Sequence, residues 1–154
     1  MNDIFNTALK HLSAKNHSSS ELASVLSKEF SEIPDVESLV QQTIERLKEI
    51  HLINDDFIAS SQAQRYRHKG NRYIAQKLQQ KGFDKAFIDN TLDSLPSELE
   101  RGLIEARKKL RTLDGEEPKK RETKLLRFLS GRGFGANTCH QIIDELKTEQ
   151  FDNE

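Results

Sequence analysis

Six cations crowd into the seventeen residues from Arg65 to Lys81: Arg65, Arg67, Lys69, Arg72, Lys77 and Lys81. Guanidinium and ammonium groups at this density are suited to phosphates and carboxylates, which accept short, charge-assisted hydrogen bonds. A second group follows in Arg107, Lys108, Lys109, Arg111, Lys119, Lys120, Arg121, Lys124, Arg127 and Arg132. The net charge of -1 conceals this segregation. Residues 1–60 carry -5, residues 61–135 carry +8, and residues 136–154 carry -4. The alternative is a solvated helix face with no partner. Opposite charge at both ends favours a surface for a polyanion or an acidic protein. Tyr66 and Tyr73 lie among these cations, where they could stack on bases or pack at the edge of a core. His68, between Arg67 and Lys69, is the histidine expected to touch a partner.

Other chemistry is weakly supported. Asp55-Asp56 has no further carboxylates at calcium-loop spacing and sits where a helix must begin, so both are expected to serve capping. Cys139 occupies an apolar ladder position and reads as a buried small hydrophobe. The five histidines form no metal-ligand spacing. Gly131-x-Gly133-x-Gly135 follows a helical pattern and lacks the Lys-Ser/Thr of a phosphate loop, so it is expected to be a turn. No catalytic residue, metal or cofactor is assigned, and an enzyme is not expected.

The elements that must hold these residues repeat. Leu22 and Leu26, Ile74 and Leu78, and Leu125 and Leu129 form the same i, i+4 pair three times. Each pair precedes a phenylalanine: Phe30, Phe83 and Phe134. A second ladder then follows: Val40-Ile44-Leu47, Ile88-Leu92-Leu95 and Cys139-Ile143-Leu146. The second and third copies are offset by 51 residues at every such position. A period of this size implies stacked helical units, none able to bury its apolar face alone. With no period-two alternation, the expected class is all-α. Three tandem three-helix repeats are expected at 1–53, 54–96 and 97–150, with a disordered tail at 151–154.

Helix boundaries follow from caps. In the middle repeat, Asn54, Asp55 and Asp56 offer side chains to start a helix over 57–69, which Gly70 stops. Asn71 then caps a helix over 72–81, which Gly82 stops, and Asp84 starts a third. Ser18 with Glu21, and Ser97 with Glu100, have capping-box spacing. With 34% hydrophobic and 32% charged residues, thin cores and much solvated surface are expected. No basic leader or long apolar run opens the chain, and the lone cysteine excludes an internal disulfide. A cytoplasmic monomer with no membrane contact is the resulting expectation.

The segment HLINDDFIASSQAQRYRHKGNRYIAQKLQQKGF (51–83), with Lys81-Gly82-Phe83 repeated as Arg132-Gly133-Phe134, resembles the RecX family of RecA regulators. The resemblance extends over essentially the whole chain. Its first repeat departs, with Lys28-Glu29-Phe30 where a glycine would be expected. What the resemblance implies is a curved, elongated solenoid lying in the groove of a RecA filament on single-stranded DNA. There it would restrain filament growth, ATPase, strand exchange and co-protease activity. The expected contacts are Arg65, Arg67, His68, Lys69, Arg72, Tyr73, Lys77, Lys81, Arg107, Lys108, Arg111, Lys124, Arg127 and Arg132, with direct DNA contact left open. The competing expectation is a helix-turn-helix DNA-binding regulator acting without RecA, since the second helix of the middle repeat is cationic.

Overall fold

The computed structural model describes residues 2–152, which form nine α-helices and no strand. In chain order they are α1 (Asn2–Ala14), α2 (Ser19–Glu29), α3 (Val36–Glu49), α4 (Asp55–Arg65), α5 (Asn71–Gln80), α6 (Lys85–Asp93), α7 (Glu98–Thr112), α8 (Pro118–Gly131) and α9 (Ala136–Asp152). They pack as three triads, each closed around its own core. Ile4, Ala8, Leu22, Leu26, Val40, Ile44, Leu47 and Ile53 fill the first. Ala59, Ala63, Ile74, Leu78, Phe83, Ile88 and Leu95 fill the second. The third surrounds Phe134 with Leu103, Ala106, Leu125, Leu129, Cys139, Ile142, Ile143 and Leu146. The repeated ladders are these cores, and the architecture is an all-α array of three-helix repeats.

Several local signals act as expected. The Ser18 hydroxyl accepts from the Glu21 amide at 3.1 Å, and the Glu21 carboxylate accepts from the Ser18 amide at 3.1 Å, completing a capping box. Asp84 caps α6 through the Phe87 amide, and Ser97 caps α7 through the Glu100 amide. Gly82 and Gly133 have φ of +90° and +89°, the left-handed turn that follows a helix C-terminus.

Other boundaries are corrected. The helix expected over 57–69 is α4, which stops at Arg65; Tyr66 to Lys69 are turns. Gly70 therefore does not close that helix. Its φ is -75°, and it is the N-cap of α5, the position expected for Asn71. Asn54 caps α4 by accepting from the Phe57 amide, while the Asp55 carboxylate caps a helix in a different repeat. The final helix extends to Asp152, two residues into the segment read as tail; Asn153 and Glu154 lie outside the described residues.

The triads meet through two joints of one design. At the first, the Ser18 hydroxyl donates to the Lys81 carbonyl at 2.6 Å. Asp55 accepts from the Ser19 amide at 2.9 Å and from its hydroxyl at 2.6 Å. At the second, the Gly70 amide donates to the Arg132 carbonyl at 2.8 Å. Glu98 accepts from the Asn71 amide at 2.6 Å. In both, the N-terminus of one repeat's second helix is satisfied by a carboxylate on the next repeat's first helix. The carbonyl just before the left-handed glycine receives the other bond. An added Cβ on Gly82 would lie 2.2 Å from Ser20 Oγ, and one on Gly133 2.7 Å from Tyr73 Cβ. In the first repeat Glu29 stands where the other two triplets carry this glycine, and its carboxylate meets His11 at 2.6 Å. The backbone at this triplet is not left-handed, Phe30 having φ of -110°; the left-handed residue of this turn is Asp35, with φ of 56°.

Candidate functional site: a basic cleft at the second joint

The second joint gathers part of the expected cation set. Arg65 ends α4, Arg67 and His68 occupy the following turn, and Lys108 reaches in from α7. These four line one cleft with Pro96, Arg101, Ile104 and Glu105.

Arg101 organises it. Its side chain is buried, donating from Nε to the Pro96 carbonyl at 2.9 Å and from Nη1 to the Arg67 and Lys69 carbonyls at 3.3 and 2.6 Å. Its Nη2 donates to Asn71 Oδ1. Burial pulls the guanidinium pKa down, and neighbouring Glu98 opposes that shift. One side chain thus satisfies the carbonyls of the irregular 66–70 turn and ties it to the start of α5. Glu105, also buried, holds Arg132 at 3.2 Å and Lys108 at 3.3 Å. The cleft carries one buried carboxylate beneath a larger number of cations.

Burial lowers the His68 pKa from 6.5, with Arg132 and Lys69 adding to the shift, Glu105 opposing it and Arg67 lowering it further. The imidazole is therefore neutral at neutral pH and takes a proton only in more acidic solution.

The rest of the expected set is distributed. Tyr73 meets Tyr66 edge-on at 5.3 Å, with Lys69 and Lys77 over its ring at 4.9 and 5.5 Å. Both tyrosines are half-buried, which favours packing at the joint over free stacking platforms. Arg72 donates across the joint to the Ser130 carbonyl at 3.1 Å, and Arg132 lies over Phe128 at 4.6 Å. Lys81 sits at the other joint, 3.5 Å from Glu21. Arg107 pairs with Glu149, Lys124 with Glu116 at 2.6 Å, and Arg111 and Arg127 are exposed. Arg65, Arg67, His68 and Lys108 thus share the cleft, and the other expected residues make the separate contacts just described.

Sequence reasoning missed Arg101 and Glu105. They stand four residues apart on α7, flanking Gly102, beside the apolar positions Leu103 and Ala106. A charged i, i+4 pair bordering an apolar stripe was the available signal. Cys139 is buried as expected, its Sγ 3.6 Å from the Phe134 carbonyl. No helix is long and apolar enough to cross a membrane among the described residues.

Known proteins match this chain over more than nine-tenths of its length. A family model described as the third three-helix domain of RecX matches residues 97–143. The chain is 30% identical to the regulatory protein RecX of Chlorobium phaeobacteroides, over 92% of each protein. It is 34% identical to the regulatory protein RecX of Chlorobaculum tepidum, over 93% of this chain and 88% of that one. The crystal structure of RecX from Lactobacillus salivarius shares the fold, with a TM-score of 0.78 over 96% of both chains at 24% identity.

Proposed function

The chain belongs to the RecX family of regulatory proteins, and from that membership we propose that it binds the filament RecA forms on single-stranded DNA and restrains it. The array lies along the filament groove as a single chain and spans neighbouring RecA protomers. It slows filament growth and the coupled ATPase, strand exchange and co-protease activities. It acts without chemistry of its own. The basic cleft meets an anionic surface of the filament. The observation carrying this reading is the convergence of Arg65, Arg67, His68 and Lys108 on one cleft, between chain ends of opposite charge.

The helix-turn-helix alternative fits less well. A recognition helix must present its N-terminal residues to base edges, and the start of α5 is occupied by Arg132, Glu98 and Arg101 across the joint.

The test is single-stranded-DNA-dependent ATP hydrolysis by the cognate RecA, with filament mass followed by light scattering. The protein is added well below RecA stoichiometry. We expect inhibition by the parent and its loss in an Arg65→Glu, Arg67→Glu, Lys108→Glu variant that retains its helical circular dichroism. Equal inhibition by the variant would remove the cleft from the mechanism. No inhibition by either protein would overturn the reading.

A further inference from the structure

Each internal joint covers a face at the start of a triad's second helix, and the second joint also covers the segment that follows the third helix. On the second triad this face comprises Arg67, Gly70, Asn71 and Pro96, all bonded by the third triad. On the first it comprises Ser18 and Ser19, bonded by Lys81 and Asp55. Moving the second-triad residues forward by the 51-residue repeat gives Pro118, Arg121, Glu122 and Lys147. These four, with Leu125 and Leu146 beneath them, line an apolar cleft on the third triad. No described element of the chain covers it.

We propose that this cleft is a docking surface for an acidic helix of a partner protein, which seats there as each following triad seats on the one before. The occupant is set by the joints and by charge. Both incoming elements bring a carboxylate in the first turn of a helix, Asp55 on α4 and Glu98 on α7. The open face adds a basic rim, with Arg121 and Lys147 on the cleft, Lys147 lying 3.4 Å from Glu122, and Lys119 and Lys120 exposed next to them. An acidic first turn supplies the matching charge, and an aliphatic side chain one turn later reaches Leu125 and Leu146. Salt-sensitive association with modest apolar burial follows from that combination. This surface is separate from the basic cleft at the second joint and does not rest on the role proposed for it.

The probe is a fluorescein-labelled peptide with the sequence of residues 97–106, helix-stapled through its solvent face, titrated against the full chain by anisotropy. Amide shifts in an isotope-labelled sample locate the site. We expect shifts at 118–125 and 143–147. We also expect at least a tenfold loss of affinity for a Lys120→Glu, Arg121→Glu, Lys147→Glu variant, and a similar loss when the peptide glutamates become lysines. Absent binding, shifts elsewhere or undiminished binding to the variant would overturn the proposal. So would a single-stranded oligonucleotide that moves the same amides at lower concentration than the peptide. Self-association of the chain broken by the same three substitutions would also overturn it, by making a second copy the occupant.

Discussion

At the scale of single residues, buried polar groups at the second joint set the behaviour. Replacing Arg101 with Met keeps much of its volume but leaves three carbonyls and the Asn71 amide oxygen without their donor. A buried acceptor left unsatisfied costs about 1–3 kcal/mol, so Arg101→Met should lower unfolding stability by at least about 2 kcal/mol in urea. An unchanged midpoint would mean that water replaces the guanidinium. The thiol of Cys139 is pushed up by burial, with Glu98 adding to the shift. It should react with a thiol reagent only at the rate of unfolding. For His68, the unfolded chain takes its proton near 6.5, before the folded cleft does. The fold therefore loses stability as pH falls through 6.5 toward the lowered value, with no contribution above it. A nuclear magnetic resonance titration should place the His68 midpoint below 6.5, and His68→Gln should remove that part of the acid sensitivity.

At the scale of elements, two glycines separate close approach from chain propensity. Gly133→Ala forces a left-handed alanine, about 1–2 kcal/mol, and adds a clash with Tyr73. Gly131, at the end of α8, has no atom within 4 Å of an added Cβ, and Gly131→Ala should be neutral or stabilising by up to about 1 kcal/mol. Thermal melts of the pair decide whether the joint or the helix governs the region. In the ladders, Leu78→Ala and Leu129→Ala should each cost about 2–5 kcal/mol, because both leucines are fully buried. The ladders were legible in the sequence because buried leucines must recur at helical spacing when each triad makes its own core. The Lys81-Gly82-Phe83 and Arg132-Gly133-Phe134 triplets were legible as left-handed turns. Gly70 was misread because glycine permits both a left-handed stop and a close backbone approach; a Cβ there would meet Gly133 O at 2.1 Å. Asp55 looked like a local cap because spacing reports neighbours along a helix. It carries no information about partners in another repeat; the pairing of Arg101 with Glu105 beside an apolar stripe marked a position but not the carbonyls that Arg101 would meet.

At the scale of the whole molecule, three cores connected by polar joints make a chain of coupled units rather than one cooperative block. Apolar burial is confined within triads, while the joints rest on hydrogen bonds whose geometry glycine permits. Weakening one joint should uncouple unfolding. In an Arg101→Met, Gly133→Ala double variant, amide exchange in α7 to α9 should separate from that in α4 to α6, whereas the parent should exchange both groups closer to a common limit. A single transition retained in the double variant would show that side chains at the joints contribute little to coupling.

Arg101 grips the carbonyls of Arg67 and Lys69 and leaves their charged ends outside its bonds. The skeleton of the turn is pinned, while the Arg67 guanidinium donates to the Gln64 carbonyl at 2.9 Å and the Lys69 ammonium lies over Tyr73 at 4.9 Å. A bound polyanion would then be read by its charge density, with no fixed register against base edges. If the cleft takes a polyanion as proposed, that partner should be able to exchange equivalent phosphates one at a time. Oligonucleotides of equal length and unrelated sequence should then compete for the cleft with nearly equal strength, and all should be displaced together as salt is raised.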